Sequence, residues 1–482
     1  MNPLRRSGRI AALALFAFAA VPPATASAHG LVGKADLPLP TWLFAWAAAV
    51  VLIVSFAALG LLWPRPRLQR PRERRLLRLG PWVDVVGGVV GVGLFVLLVL
   101  SGLAGTSVPT ANFAPTFVYV AFWVGLVVGS ALFGDLFRVL SPWRALARFA
   151  AWLTGRLRPA AGATGDGGSG LPEPLAYPRW LGHWPAVVTI AGFAWLELVS
   201  VDRDDPRLLA FLALGYAALQ LVAMSVWGIE AWSRRGDGFA VFFGLFAKVA
   251  PLARRDGVLY LRRPLDGLPS LEVVPGTVAL LCTMIGSTTF DGLSGGPLWT
   301  DLSPHLQSVF EELGLGATAA GEASFTVGLL GCLLLAGLVY RIGVLGMRTV
   351  DRERSAGELA AAFAHTLVPI ALAYAVAHYA SLLIYQGQAL GYLFSDPLGD
   401  GSDLLGTANW TIDYTLISAT GIWYLQVFVI VLGHIAALAL AHDRAVALYR
   451  DGRAALRSQL WMLAVMVAFT CLALWLISAA NA

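Results

Sequence analysis

Three histidines lie within long apolar stretches in the last third of the chain. His365 and His378 share the segment AAAFAHTLVPIALAYAVAHYASLLIYQ, and His434 lies in TLISATGIWYLQVFVIVLGHIAALALAHD. An imidazole can ligate a transition metal or exchange a proton near neutral pH. An ionisable side chain at membrane depth is costly unless it is paired or hydrated, so each histidine is a candidate functional residue. The alternative is a single hydrogen bond to a neighbouring helix.

The depth of these histidines can be counted along each helix. At a rise of about 1.5 Å per residue, we expect His365 and His434 at the same level in the inner half of the membrane, if their helices are neighbours. Such a pair could bind a metal or haem, or relay protons. His378 is expected in the outer half.

Two carboxylates are expected at the level of His378. Glu197 lies in FAWLELVSVD and Asp291 in GSTTFDGLSGGPLW, with Asp413 as a further candidate. Together with an imidazole they could hold a divalent transition metal, which lowers the pKa of bound water and supplies hydroxide near neutral pH. We therefore predict His378, Glu197 and Asp291 as catalytic residues. The alternative is that these acids are interface residues satisfied by water.

The first residues are typical of a cleaved export signal. Residues 1–28 combine a basic start, an apolar stretch and the small residues Ala26-Ser27-Ala28. Cleavage after Ala28 would place His29 at the N-terminus, where its α-amine and ring could chelate copper with His305 as a second imidazole. The alternatives are an uncleaved anchor and a coincidence of the cleavage site. The predicted metal ligands are thus His29, His365, His378 and His434.

The composition places the chain among integral membrane proteins. Of its 482 residues 58% are hydrophobic and only 13% charged, whereas a soluble domain has roughly a quarter charged. A membrane helix needs about 20 apolar residues. The fold class predicted is an all-α polytopic bundle formed by residues 29–482, with about ten transmembrane helices near 41–63, 81–104, 115–139, 183–201, 208–232, 276–293, 325–347, 360–385, 415–441 and 459–479.

The charges of the loops predict the orientation. Loops 64–80, 138–182 and 233–275 are rich in arginine, whereas segments 294–324 and 386–413 contain no lysine or arginine. By the positive-inside rule the arginine loops are cytoplasmic, and both mature termini are outside. Because the net charge of +5 is spread over these loops, no nucleic-acid partner is expected; the partner is the lipid bilayer, in the plasma membrane of a bacterium.

Two cytoplasmic loops have features of their own. Residues 160–176 are rich in glycine and proline, which is typical of a flexible linker. Residues 239–255 (FAVFFGLFAKVAPLARR) are predicted to form an interfacial helix that turns its phenylalanines toward lipid.

Several segments resemble bacterial membrane proteins named fenitrothion hydrolase. They are HGLVGKADLPLPTWLFAWAAAVVLIVSF, GSTTFDG, FAHTLVPIALAYAVAHYASLLIYQGQ, and LGHIAALALAHDRA followed by QLWMLAVMVAF. The resemblance implies hydrolysis of an organophosphate triester, a small apolar substrate, with release of a nitrophenol. Two other functions fit the same residues: a transporter or copper-handling protein with intramembrane histidines, and a haem-binding redox protein.

Overall fold

A computed structural model describes residues 41–157, 174–449 and 451–480. The predicted signal peptide (1–28), His29 and most of the predicted linker 160–176 lie outside the described residues.

The described chain is mostly helical, and we number its elements in chain order. The helices are α1 (Thr41–Leu62), α2 (Trp82–Ala104), α3 (Phe113–Phe133), α4 (Leu136–Leu140), α5 (Pro142–Leu157), α6 (Trp184–Leu198), α7 (Pro206–Trp227), α8 (Ile229–Arg235), α9 (Gly238–Ala247), α10 (Thr277–Ser294), α11 (Pro297–Glu312), α12 (Ala317–Met347), α13 (Ala356–Leu393), α14 (Ala419–Leu448) and α15 (Gly452–Ala480). The strands are β1 (Glu73–Arg78), β2 (Leu252–Arg255) and β3 (Val258–Arg262).

Seven of the described helices are long and apolar enough to cross a membrane: α2, α3, α7, α12, α13, α14 and α15. Helices α6 and α9 and the part of α1 from Trp46 to Leu62 are apolar but shorter. Helix α10 carries a run of hydroxyl residues (GSTTFD) and is less apolar than these. The coarse prediction of a helical membrane protein is therefore supported, with seven such helices among the described residues.

The chain divides into two compact units. Of the described residues, unit 1 comprises 41–69, 284–378, 417–449 and 451–480, and unit 2 comprises 70–157, 174–283 and 379–416.

Unit 1 is held together by close helix contacts at small residues. Helix α15 packs on α1, α12 and α14, and Gly346 of α12 lies against the ring of Trp461 in α15. Gly433 of α14 lies against the Pro369 carbonyl and the Ala373 side chain of α13. Small residues allow such approach, and the resulting van der Waals contact stabilises helices in a membrane, where lipid is as apolar as the side chains.

Unit 2 is built around α2, which packs on α4, α5 and α7. Its Gly91 lies against the backbone carbonyl of Leu140, where a side chain would not fit. Helix α3 is a π-helix from Phe117 to Gly125, and α13 is a π-helix from Leu382 to Gln386. These two π stretches pack on each other.

A three-stranded antiparallel sheet, in the order β1-β3-β2, joins two segments that we expected to be loops. Its register pairs Glu73 with Arg262 and Leu252 with Leu261, with an irregularity between Arg75 and Leu77. The arginine-rich segment ERRLLR does not alternate apolar and polar residues, so its composition conceals the strand.

The prediction of an interfacial helix over residues 239–255 was wrong. Helix α9 ends at Ala247 and β2 follows it. Its four phenylalanines are buried in unit 2 instead of facing lipid, among the aromatic rings of α3, α4 and α6. An aromatic cluster buries large rings against each other and so accounts for a short helix that is apolar all round.

Candidate functional site

Unit 1 contains a hydrogen-bonded pair of an acid and an imidazole. Asp291 Oδ2 of α10 lies 2.8 Å from His378 Nε2 of α13. The two side chains are 20% and 23% exposed, respectively. Both residues belong to the set of His378, Glu197 and Asp291 that we predicted from the sequence, and both are only partly buried by the protein.

The local sequence of α10 holds Asp291 in place. Phe290 is completely buried and its ring packs edge-on against Trp299 and Phe325. The hydroxyls of Thr288 and Thr289 donate to carbonyls one turn earlier in the same helix, so they do not compete for the carboxylate. The turn that carries Asp291 is therefore anchored by its apolar neighbour.

The turn of α13 that carries His378 is anchored in a similar way. Tyr374, one turn earlier, is buried, and its hydroxyl donates to the Phe469 carbonyl of α15 at 3.1 Å. Ala377 is completely buried. The ring of His378 is thereby presented to Asp291 from a helix whose neighbouring side chains are packed.

The pair has a defined chemical consequence. When the imidazole is neutral and its Nε2–H donates to the carboxylate, the other ring nitrogen, Nδ1, is the unprotonated one. A histidine oriented in this way by an acid can act as a general base, and the carboxylate stabilises the imidazolium that forms.

The remaining predicted acids lie in unit 2. Glu197 lies on α6, where it interacts electrostatically with Tyr119. Asp413 accepts hydrogen bonds from the backbone and hydroxyl of Thr415, and thus closes a local turn. Of the predicted catalytic residues, Asp291 and His378 are the two that the structure brings into contact within one unit.

His365 and His434 are buried. We predicted that the two histidines lie at the same level along their helices, and they do not. Gly433 packs against Pro369, so His434 is level with the turn after His365, a shift of about 6 Å along α13. His434 Nδ1 donates to the Ile430 carbonyl at 2.8 Å, and His365 bonds to the backbone of Ala362. Each ring therefore hydrogen-bonds to its own helix, whereas the alternative interpretation expected a bond to a neighbouring helix.

The four predicted metal ligands do not form a metal site in the part of the chain that the structure describes. No three His, Cys, Asp or Glu side chains there are grouped so that they could hold a metal ion. His365 and His434 point to their own helix carbonyls, His378 pairs with one acid, and His29 lies outside the described residues.

Unit 1 also contains a completely buried carboxylate whose role was not recognised from the sequence. Asp443 is completely buried and accepts hydrogen bonds from the side chains of Trp63 and Gln69 and from the backbone N–H groups of Arg67 and Leu68. The adjacent His442 donates from Nε2 to the Trp63 carbonyl. The only signal was the pair His442-Asp443 in an apolar helix, which we interpreted as the membrane boundary.

Asp237 is the corresponding buried acid in unit 2. Its carboxylate accepts from the Trp143 indole at 2.6 Å, the Tyr216 hydroxyl at 3.0 Å and the Ala240 backbone N–H at 3.2 Å. Burial raises its pKa to about 6, although the hydrogen bonds from Trp143 and Tyr216 lower it. The sequence signal was an aspartate directly before an apolar run, which is typical of a helix N-cap.

Acids near the arginine-rich loops pair with arginine side chains. Arg254 donates to both oxygens of Asp84 at 2.9 Å, and Arg144 donates to Glu230 at 2.6 Å. Asp135 instead caps α4 by accepting from the Arg138 backbone.

Comparison of the chain with protein-family models, with curated proteins and with solved structures finds no match. The candidate function therefore depends on the geometry of the Asp291–His378 pair and on the resemblance of the sequence segments.

Proposed function

We propose that the chain is a multi-pass protein of a bacterial plasma membrane that hydrolyses small, uncharged apolar esters such as organophosphate triesters. The observation that carries the proposal is the partly exposed Asp291–His378 pair of unit 1. The segments that resemble fenitrothion hydrolases support the class of substrate, since GSTTFDG contains Asp291 and FAHTLVPIALAYAVAHYASLLIYQGQ contains His378.

The proposed topology has about ten membrane crossings and both mature termini outside. The seven long apolar helices support most of these crossings, and α1, α6 and α10 would supply the others. Arginine in alternate loops supports the orientation. With this orientation the end of α10 that carries Asp291 is near the outer surface.

In the proposed reaction, the imidazole of His378 removes a proton from water as the oxygen attacks phosphorus. The P–O bond to the aryl group breaks, the phosphorus keeps the new hydroxyl, and the aryloxide leaves and takes up the proton from the imidazolium. The products are a phosphodiester acid and a phenol. Asp291 acts as the positioning residue that selects the tautomer of His378 and stabilises its cation.

The described residues do not fit a metal-dependent form of this reaction or a haem protein. The pair supplies two ligands, whereas a catalytic zinc site uses three from the protein. Haem would need space between α13 and α14, and Gly433 is in contact with the backbone of Pro369 at the level of His434. We therefore write the reaction without a metal and do not extend the proposal to haem.

The test is the release of 4-nitrophenol from diethyl 4-nitrophenyl phosphate by the purified full-length protein in lipid nanodiscs. His378→Gln keeps the approximate size of the ring and removes the base, so we expect kcat/KM to fall at least about 100-fold. Asp291→Asn should lower kcat more than it raises KM, and should shift the pH at which the rate is half-maximal. Glu197→Gln measures whether the third predicted catalytic residue takes part.

The control is Asp301→Asn, which changes an exposed acid of α11 in unit 1 in the same way as Asp291→Asn changes the acid of the pair. It should leave the rate unchanged. A wild-type protein without activity above the spontaneous rate, or a His378→Gln variant as active as wild type, would overturn the proposal. In the first case a transporter that uses the same pair would be the leading alternative.

A further inference from the structure

Unit 2 contains a cavity of about 600 Å³ between its helices. Ligand sites in proteins commonly have volumes of about 300–1,000 Å³, so the cavity has the size of a small-molecule site. It is separate from the Asp291–His378 pair, which belongs to unit 1.

Aromatic rings form much of the cavity wall. Phe122 of α3 packs edge-on against Phe137, Phe239 and Phe243 at centroid distances of 4.8–5.6 Å. Although it has these neighbours, it is only partly buried, and it lines the cavity. Phe193 and Phe117 line the cavity in the same way. These rings offer faces and edges for offset or edge-on contact with another aromatic ring.

The π-helix of α3 supplies one side of this wall. Phe117, Val118, Ala121 and Phe122 all come from the π stretch Phe117–Gly125 and line the cavity. A π-helix displaces side chains from the positions of a regular helix, and such segments occur frequently at functional sites. The π-helical part of α3 therefore forms part of the cavity wall.

At one end of the cavity, the wall is formed by side chains that have a polar group but no charge. Tyr216 and Trp143 line the cavity and both donate to Asp237, which does not line it. No Asp, Glu, Lys, Arg or His is among the described residues of the lining. A charged ligand would lose its hydration without a counter-charge, so the lining favours a neutral molecule.

The cavity is open to the surface at exposed apolar residues. Val188 of α6 and Leu212 and Leu219 of α7 line it and are themselves exposed. In a membrane-spanning helix such residues face hydrocarbon. A ligand dissolved in the bilayer can therefore reach the cavity without crossing a polar surface.

We infer that this cavity is a binding site for an uncharged aromatic hydrophobe of two or more rings that enters from the bilayer. The aromatic wall distinguishes this occupant from a lipid acyl chain, which would gain only area burial. The site is assigned independently of the proposed hydrolase activity.

The test uses benzophenone, a neutral two-ring ketone that inserts into nearby C–H bonds on illumination. The purified full-length protein in nanodiscs is illuminated with benzophenone, and the modified peptides are mapped by mass spectrometry. We expect the adducts to concentrate on residues 117–126, 188–196 and 209–219. An excess of biphenyl should remove them, and the same excess of hexadecane should not.

Gly192→Leu is the decisive variant because Gly192 lines the cavity and an added Cβ there meets no atom within 4 Å. The added side chain fills the cavity and should lower the adduct yield at least about fivefold. Gly215→Leu is the matched control: Gly215 also lies in an apolar helix of unit 2, has equally open space, and does not line the cavity.

Ala213→Leu fills the cavity from α7 and provides a second variant if Gly192→Leu does not fold. Adducts spread evenly over the lipid-facing helices would overturn the inference. So would an equal loss in Gly192→Leu and Gly215→Leu, or displacement by hexadecane as effective as that by biphenyl.

Discussion

Asp237 is a buried carboxyl group whose two oxygens accept hydrogen bonds from Trp143 and Tyr216. Its pKa of about 6 in the folded protein lies above the ordinary value of 3.8. Between these pH values the folded protein binds the proton more tightly than the unfolded chain. The contribution to stability is thus fully present below about pH 4, decreases as the pH rises to 6, and is absent above that pH.

Asp237→Asn imitates the protonated side chain and should remove this pH dependence. A shift of about two pKa units corresponds to about 3 kcal/mol. We expect the variant and wild type to have similar thermal unfolding temperatures at pH 4, and the variant to be the more stable at pH 8. The measurement is Tm of the purified protein between pH 4 and 8, with the exposed Asp202→Asn as the control. Parallel curves for wild type and Asp237→Asn would contradict the prediction.

At the scale of elements, Asp443 connects α14 to the segment that follows α1. It receives four N–H donors from residues 63–69, and Arg67 also lies over the Trp63 ring, with 4.8 Å between its guanidinium carbon and the ring centroid. One carboxylate thus satisfies two backbone and two side-chain donors in a segment that contains two prolines and belongs to neither a helix nor a strand.

Asp443→Asn should release this segment. The amide keeps one accepting oxygen, so donors on the other side face an NH₂ group and lose their partner. At about 1–3 kcal/mol for each buried group left unsatisfied, we expect a loss on the order of 3 kcal/mol. Trypsin should cleave the variant faster after Arg67, which is followed by leucine, whereas Arg65 and Arg70 are each followed by proline and are not trypsin sites. Asp451→Asn, an exposed acid near the start of α15, is the control; equal cleavage rates in all three proteins would show that the anchor has no role.

At the scale of the whole molecule, the orientation in the membrane is the property to test. Glu312 and Arg74 are both exposed, on an acidic and on an arginine-rich segment respectively. In spheroplasts a membrane-impermeant maleimide should label Glu312→Cys, and it should label Arg74→Cys only after permeabilisation. N-terminal sequencing of the mature protein should begin at His29. The reverse labelling pattern would invert the topology.

Hydropathy and charge along the chain were sufficient to predict the helical membrane class and most of the long helices. Each long helix contains an apolar run long enough to cross a membrane, and its formation depends on backbone hydrogen bonds within the helix. The composition of ERRLLR concealed β1, because its pairing partner β3 is distant in the chain. The pairing of β2 with β3 is local, and there the arginines of LARR concealed the strand.

For the candidate site too, one part could be predicted from the sequence and another part could not. The sequence identified Asp291 and His378 as ionisable residues in apolar surroundings, but it also proposed His365 and His434 as metal ligands. Only the tertiary structure decided that His378 has a carboxylate partner while His434 bonds to its own helix. The reason is physical: the apolar character of a segment is local, whereas a hydrogen bond between α10 and α13, or between Asp443 and residues 63–69, depends on how distant helices pack.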